Sequence, residues 1–254
     1  YVAKASKQKA HVIIFPEDCI EGVIGKRLDL ADSKFKNRNF FITLAKKYKI
    51  DIITASFIEK EKEKLWNTSY YIDSTGRVKA RYRKMRLWHP EKKYIKPGKK
   101  LAIFKTKYGM AVMIICWDLA FGELFREMLK KRVKIIYCPS YWTYEDAWRG
   151  NKKWNKNAEI LLTNTLCQTR AFEANAALVY CNAGGTLKIG KWKGTLLGNS
   201  QITFPYLGAI KILSHNKEEM FVKEINLDLL KDSEKDYKLR QDMFKTYHPA
   251  SSNL

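Results

Sequence analysis

The sequence predicts an α/β fold with mixed sheets. Short apolar runs of strand length recur along its 254 residues, and longer stretches with the periodicity of amphipathic helices lie between them. Two turn-forming segments, Asp-Ser-Thr-Gly at 73–76 and Tyr-Gly at 108–109, join neighbouring strand-like runs. Strands joined by such turns are antiparallel, whereas strands joined through a helix are commonly parallel, so we expect both kinds of pairing.

Each predicted element has a local reason. The apolar runs at 11–15 and 133–138 are closed by Pro16 and Pro139, as expected for buried strands. The stretch 33–48 places Phe41, Leu44 and Ala45 on one face of a helix. Further helices are predicted at 121–131 and 157–173, and further strands at 51–57, 66–72, 77–83, 101–104, 110–115, 176–181, 199–204, 209–213 and 221–226.

The composition favours a single domain over residues 1–254. Hydrophobic residues make up 46% and aromatic residues 13%, enough for a sizeable core, and no linker-like stretch divides the chain. No apolar run approaches the roughly eighteen residues of a membrane span, and the run after the charged start is too short for a secretory signal. We therefore expect a cytoplasmic protein without a membrane partner.

The net charge is +22, from 48 basic and 26 acidic residues. Such a charge can indicate nucleic-acid or anionic-membrane binding, or simply a solvated, lysine-rich surface. The lysines are spread along the chain, and neither zinc-finger spacing nor an RNP-like aromatic strand accompanies them. We favour the solvated surface and expect no specific nucleic-acid partner.

Three strand-like segments end in a reactive side chain: Glu17, Lys84 and Cys116. Catalytic groups often lie in the loops that follow strands. A partly desolvated Glu17 would have a raised pKa and could act as a general base, with a solvated carboxylate as the alternative. Lys84 is one of four basic residues within 81–86, so it could stabilise an oxyanion or belong to a solvated basic edge.

Cys116 is one of five cysteines, an odd number without any Cys-x-x-Cys spacing, so neither a disulfide framework nor a zinc site is expected. It lies between the strand at 110–115 and the helix at 121–131. Backbone N–H groups at such a turn can lower a thiol pKa and bind an oxyanion, in the logic of the nucleophile elbow. Its position alone leaves catalysis and core packing equally open.

Together these segments resemble the nitrilase superfamily of carbon–nitrogen hydrolases. The principal matches, in family order, are Phe15-Pro-Glu17, Tyr82-Arg-Lys84 and Cys116-Trp-Asp-Leu-Ala-Phe-Gly-Glu123. Supporting matches lie at 66–68, 72–76, 89–91, 97–98, 139–140, 170–173 with Asn182, and 198–200 with Pro205. The combination is specific, whereas no single motif is.

The resemblance implies a four-layer α-β-β-α sandwich and a Glu–Lys–Cys triad. In this sequence it assigns Cys116 as nucleophile, Glu17 as general base and Lys84 as oxyanion stabiliser, while Glu91 matches a second glutamate that positions substrate or supports the base. It implies neither a metal nor an organic cofactor. It also favours a homodimer or a higher homo-oligomer.

Aromatic residues near the triad in motif order are candidates for substrate binding. Trp117, Tyr141 and Trp142 could shape a pocket, and ordinary core or interface packing is the alternative for each.

The sequence departs from the family pattern in two places. Gly122 stands where the family usually has proline. Family members also have a central strand and a helix before the first glutamate motif, whereas only sixteen residues precede Glu17 here. We expect a segment that is absent from this sequence rather than a fold lacking a strand, because a missing central strand would leave backbone groups unpaired.

The expected activity is hydrolysis of a small amide or carbamoyl amide through a Cys116 thioester, releasing ammonia or an amine. A nitrilase acting on nitriles is the nearest alternative, since it uses the same triad. The alternative from a different class is a basic binding protein on a catalytically dead hydrolase scaffold.

Overall fold

The computed structural model describes residues 1–25, 27–147, 150, 153–189 and 192–245. These residues form helices α1 (Val2–Lys7), α2 (Lys36–Tyr48), α3 (Gly122–Lys130), α4 (Ala158–Ala174), α5 (Leu229–Tyr237) and α6 (Leu239–Phe244), with 3-10 turns at Leu28–Leu30, Glu91–Lys93 and Cys116–Ala120. The strands are β1 (Val12–Ile14), β2 (Asp51–Ile53), β3 (Phe57–Glu61), β4 (Lys64–Ile72), β5 (Val78–Arg83), β6 (Ala102–Thr106), β7 (Gly109–Met113), β8 (Ile135–Ser140), β9 (Ala177–Asn182), β10 (Thr186–Ile189), β11 (Trp192–Thr195), β12 (Gln201–Phe204) and β13 (Gly208–Ile212). No helix among them is long and apolar enough to cross a membrane.

Most of these strands form two mixed sheets. In the first, β1 and β2 are parallel, and β2, β3 and β5 all pair antiparallel with β4. In the second, the order is β13-β12-β9-β8-β7-β6, with β7, β8 and β9 parallel and the outer pairs antiparallel. The predicted mixture of pairings is therefore confirmed. The hairpin of β10 and β11 is a feature that the sequence pattern does not predict.

Alternation along the strands separates the faces of each sheet. Tyr71 of β4 contacts Tyr137 of the second sheet, with ring centroids 6.1 Å apart, so these faces pack together. Its neighbour Tyr70 belongs to the core cluster that includes α1 and α2. In β8, Cys138 follows Tyr137 on the opposite face and lies near Cys167 of α4. These contacts order the layers as helices, first sheet, second sheet and helices.

Helix α2 begins at Lys36, later than the sequence pattern predicts. The Asp32 carboxylate accepts hydrogen bonds from the N–H groups of Lys36 at 3.0 Å and Asn37 at 2.8 Å. Phe35 has a left-handed backbone with φ of 55°. The residues before Lys36 therefore form a capping loop that supplies acceptors to the free N–H groups of the first turn.

Residues 221–226 form no strand, contrary to the prediction. A cavity of about 1280 Å³ is lined both by these residues and by β1, and among the described strands β1 pairs only with β2. A strand ladder needs a neighbour about 5 Å away. In the described part of the chain this segment pairs with no strand, and its Phe221 and Ile225 side chains pack against the core cluster that contains Ala177 and Leu230. The hydrophobic pattern of 221–226 therefore indicates partial burial but does not indicate whether a neighbouring strand pairs with the segment.

Candidate active site

Glu17 is placed where the two sheets meet. It follows β1 and Pro16, its N–H donates to the Ser140 carbonyl at the end of β8 at 3.3 Å, and its side chain is only 3% exposed. The next residue, Asp18, has a φ of 54° and donates its N–H to Ser56 at 2.9 Å. These bonds hold the carboxylate at the carboxyl end of β1 and out of bulk water.

Lys84 follows β5 and is held by its backbone. Its N–H donates to the Asn67 carbonyl on β4 at 2.9 Å, and its own carbonyl accepts from the Gly98 N–H at 2.8 Å. A Cβ at position 98 would collide with the Arg83 carbonyl oxygen, so only glycine allows this close approach. The Lys84 side chain, 2% exposed, therefore enters the protein interior from a fixed backbone position.

Cys116 lies in the turn after β7 in a left-handed conformation, with φ of 48°. Such a backbone costs about 1–3 kcal/mol for a residue other than glycine and persists only when its surroundings impose it. Asp118 imposes it here. Its carboxylate accepts hydrogen bonds from the Ile115 N–H at 2.9 Å, the Arg86 N–H at 2.7 Å and the Tyr82 hydroxyl at 2.7 Å.

The thiol itself is buried and has a close polar contact. Cys116 is 7% exposed, and its Sγ lies 3.8 Å from the Tyr141 carbonyl oxygen, to which the thiol can donate. Glu17 is near enough for each group to influence the pKa of the other. The three side chains that follow predicted strands thus converge on one buried place.

Two carboxylates and two donors form a closed arrangement beside the thiol. The Lys84 Nζ lies 3.0 Å from Glu17 Oε1 and 2.8 Å from Glu91 Oε2. The Asn67 Nδ2 donates to Glu17 Oε1 at 2.8 Å and to Glu91 Oε1 at 2.9 Å. The Trp88 N–H also donates to Glu91 Oε2, at 2.6 Å. Glu91 thus joins the other two charged groups, and its role toward substrate or base stays a prediction.

Burial and charge set the protonation states in this cluster. Burial raises the pKa of Glu17, the Lys84 ammonium opposes that rise, and the Glu91 carboxylate adds to it. Burial disfavours a charged Lys84, but the two carboxylates outweigh it and hold its pKa well above the usual value. Burial and the Glu17 carboxylate together raise the pKa of the Cys116 thiol well above normal. These shifts favour a neutral thiol and an ammonium, and they make the Glu17 carboxylate a stronger base.

Aromatic rings surround the residue that follows the cysteine. The Trp117 ring centroid lies 4.6 Å from that of Trp88 and 5.6 Å from that of Trp142. Trp142 is 3% exposed and its indole N–H donates to Glu159, so its ring is held behind Trp117. Tyr141 presents its backbone carbonyl to the thiol. The structure gathers all three predicted substrate-binding residues beside the triad, and their contact with substrate stays a prediction.

Two structural residues of the site are not predicted by the strand-end pattern. Asn67 lies inside β4, and Asp118 lies inside the turn at Cys116–Ala120. Both are polar side chains with at most 1% exposure. Asn67 had one available signal, since it is a polar residue on a strand whose neighbours are mostly buried.

The described residues contain no group of three or more histidine, cysteine, aspartate or glutamate side chains arranged to hold a metal ion. The side chains brought together in the cluster are two carboxylates, an ammonium, an amide and a thiol.

Comparisons with known proteins place the chain in one family. The family model described as carbon-nitrogen hydrolase matches residues 1–235. A Schizosaccharomyces pombe protein described as a probable nitrilase is 30% identical over 241 residues, which cover 91% of this chain and 81% of that protein. The 2-oxoglutaramate amidase of Bacillus subtilis is 24% identical over 240 residues, covering 92% of this chain and 84% of that protein.

Solved structures share the fold at lower identity. A carbon-nitrogen hydrolase from Helicobacter pylori G27 has a TM-score of 0.87 at 23% identity, covering 95% of this chain and 86% of that chain. A glutamate-to-glutamine mutant of an amidase from Nesterenkonia sp. AN1, with the acetamide moiety of fluoroacetamide covalently added to its active-site cysteine, has a TM-score of 0.69 at 20% identity, covering 84% and 76%. This chain belongs to the carbon–nitrogen hydrolases of the nitrilase superfamily.

Proposed function

We propose that this chain hydrolyses the C–N bond of a small amide or carbamoyl amide through a covalent intermediate on Cys116, releasing ammonia or an amine. The observation that carries the proposal is the convergence of the buried Cys116 thiol, held at a left-handed turn, with the buried Glu17 and Lys84 side chains. A thiol with a raised pKa needs a base at the moment of attack, and Glu17 is placed to be that base.

The first half of the reaction forms the covalent intermediate. The Cys116 sulfur attacks the amide carbon while Glu17 takes the thiol proton. The oxyanion that develops is stabilised by the Lys84 ammonium and by the Trp117 N–H, which lies in the first turn of a 3-10 segment where N–H groups have no intrahelical partner. Glu17 then returns its proton to the leaving nitrogen, the C–N bond breaks, and a thioester remains on Cys116.

The second half releases the product. A water molecule attacks the thioester carbon while Glu17 takes one of its protons, and the C–S bond breaks to give the acid. The Glu17 proton returns to the sulfur, which restores the neutral thiol. Asn67 and Lys84 hold the Glu17 carboxylate through both halves by the hydrogen bonds described above.

Among the relatives, the amidases support an amide substrate. The 2-oxoglutaramate amidase acts on an amide by its name, and the Nesterenkonia amidase carries an acetamide adduct on its cysteine. A nitrile is the second candidate, because the Schizosaccharomyces pombe relative at 30% identity is described as a nitrilase. The same cysteine and base would serve a nitrile through a thioimidate.

The experiment measures ammonia release from panels of short amides, carbamoyl amides and nitriles, together with the intact mass of the protein. We expect turnover of an amide and a mass increase that peptide mapping places on Cys116. Cys19→Ala is the matched control, because it removes an exposed thiol and should leave both results unchanged. Turnover of nitriles without amides would select the second candidate, and no adduct on Cys116 from any class would contradict both.

The pH dependence tests the base. Since burial raises the pKa of Glu17, kcat/KM should fall as the pH drops through a value above the usual range for glutamate, when the carboxylate becomes protonated. Glu17→Gln should remove this acid limb along with most of the activity. An unchanged acid limb in that variant would assign the base to another residue.

We also propose that the chain works in the cytoplasm as a homo-oligomer. Tyr206, Leu207 and Tyr237 are exposed large hydrophobic side chains, and the Tyr206 and Tyr237 rings lie 5.2 Å apart, which supports a subunit contact at this end of α5. Sedimentation at several protein concentrations tests it, and a monomer throughout would contradict it.

A further inference from the structure

Asn67 has a bonding pattern that the triad chemistry leaves unassigned. Its side-chain nitrogen donates to one oxygen of Glu17 and one oxygen of Glu91, and its backbone carbonyl accepts from the Lys84 N–H. The residue is 1% exposed. One buried residue therefore bonds both carboxylates through its side-chain amide and the Lys84 backbone through its carbonyl.

The bonds to Glu17 are unevenly shared between its two oxygens. Asn67 Nδ2 at 2.8 Å and Lys84 Nζ at 3.0 Å both donate to Oε1. A carboxylate oxygen has about two lone-pair sites, so two donors fill Oε1. Neither donor bonds to Oε2, and this oxygen therefore keeps the lone pairs that can receive a proton from Cys116.

Asn67 also holds two negative charges beside each other without adding a charge. The Glu91 carboxylate raises the pKa of Glu17, and Lys84 is a single positive charge shared between them. Hydrogen bonds donated to an ionised carboxylate favour its ionised form. The amide of Asn67 supplies one such bond to each carboxylate.

The rest of the Asn67 side chain argues against a purely structural role. Its Oδ1 is buried and has no hydrogen-bond partner within the described residues. An unpaired buried acceptor lowers stability, so an amide kept only for packing would be a poor choice at this position. The orientation of the amide follows from its neighbours, because the carbonyl oxygen cannot face two carboxylates.

We propose that Asn67 is a positioning residue that directs the proton of Cys116 to Glu17 Oε2 and keeps Glu17 ionised at working pH. This proposal rests on the proposed function, in which Glu17 is the base. Without the amide, Oε1 would be free to compete for the proton and the repulsion from Glu91 would be less well offset.

The test compares Asn67→Leu, which has a similar shape and no donor, with Asn67→Asp, which has the same size and adds a third carboxylate. In Asn67→Leu, we expect kcat to fall by about 10²-fold, the scale of losing efficient general-base catalysis, while KM changes less than about threefold. The acid limb of kcat/KM should move to higher pH in both variants, and further in Asn67→Asp. Asn67→Gln keeps the donor and should restore part of the activity.

Ser69→Ala is the matched control, since Ser69 lies on the same face of β4 and is fully buried, and its hydroxyl donates to Thr54 away from the triad. It should leave the pH profile in place. The rate of Cys116 alkylation by iodoacetamide against pH gives a second readout that needs no substrate, and thermal unfolding identifies any variant that does not fold.

The outcomes separate the two proposals. A wild-type protein without amidase activity or a Cys116 adduct contradicts the proposed function. An active wild type whose acid limb and alkylation profile are matched by a folded Asn67→Leu variant contradicts only the proposed role of Asn67.

Discussion

The carboxylate side of the site and its thiol side are built by different physical means. On the carboxylate side, Glu17, Lys84 and Glu91 are held by charge-assisted hydrogen bonds between side chains that come from separate loops and strands. On the thiol side, Cys116 is held by a left-handed backbone that the Asp118 carboxylate fixes through two N–H groups and a hydroxyl. The arrangement of the carboxylate side therefore depends on the protonation states of its side chains, whereas the position of the thiol depends on backbone conformation.

The difference indicates how each side fails. A change of charge on the carboxylate side should alter the pKa of Glu17 and leave the backbone in place. A change on the thiol side should move the sulfur while the carboxylates stay paired. Substitutions on the two sides should therefore differ in the ratio of lost activity to lost stability.

The largest effect is expected at the thiol. Cys116→Ala and Cys116→Gly should both abolish turnover, because each removes the proposed nucleophile. They should differ in stability, since a left-handed backbone costs an L-residue about 1–2 kcal/mol that glycine avoids. Urea unfolding should therefore show the glycine variant as more stable than the alanine variant by about 1 kcal/mol, after its greater backbone entropy is allowed for.

Residual hydrolysis near the wild-type rate in either Cys116 variant would remove the nucleophile assignment. Equal stability of the two variants would mean that the turn is relaxed, and the proposed conformational basis of the thiol side would then be wrong.

The next effect is expected at the buried ammonium. Lys84→Met leaves Glu17 and Glu91 facing each other without their shared cation, so one of them must take up a proton. Breaking a buried ion pair in this way costs about 3–5 kcal/mol, and we expect activity to fall at least about 10³-fold. Lys79→Met is the control, because Lys79 lies on the same strand and is exposed. A Lys84→Met protein as stable as that control would show that the carboxylate side does not depend on charge.

A smaller, pH-dependent effect is expected at Asp118. Burial raises its pKa from 3.8 to about 6. The folded state thus holds the proton more tightly than the unfolded state, and this contribution to stability is complete below pH 4 and is lost as the pH rises to 6. The loss amounts to about 3 kcal/mol. Asp118→Asn does not titrate, so the stability of the wild type should fall relative to that variant by about this amount between pH 4 and 7.

Urea unfolding across that range measures the Asp118 effect. Asp73→Asn is the control of opposite sign, because burial raises the pKa of Asp73 but its hydrogen bonds with Thr75 and with backbone N–H groups outweigh burial and lower that pKa. Parallel stability curves for wild type and Asp118→Asn would contradict the raised pKa.

The strand ends that carry Glu17, Lys84 and Cys116 could be predicted from sequence because an apolar run followed by a polar residue is a local pattern. The role of Asn67 could not be predicted in this way. It depends on the approach of Glu17 and Glu91 from other elements, and the sequence of β4 contains no information about that approach. The same limit applies to residues 221–226, whose hydrophobic pattern shows which side chains are buried and not which strand lies beside them. Local sequence therefore predicts the positions of the reactive residues along the chain, whereas the contacts that fix their side chains depend on the tertiary structure.

The smallest effect is expected at Gly122, where the family pattern has proline. Gly122 is the first residue of α3, and proline is well tolerated there because that N–H has no intrahelical partner. A Cβ at this position would meet the Arg170 Nη1 at 3.1 Å, and Arg170 donates to the Leu119 and Ala120 carbonyls, both at 3.0 Å. The end of a guanidinium can move by a few tenths of an ångström, so Gly122→Pro should change stability by less than about 1 kcal/mol and kcat/KM by less than about threefold. Gly122→Ala separates the added Cβ from the fixed φ of proline. A larger loss in both variants would mean that Arg170 transmits its position through the turn to Cys116, and the thiol side would then depend on a side chain as well as on its backbone.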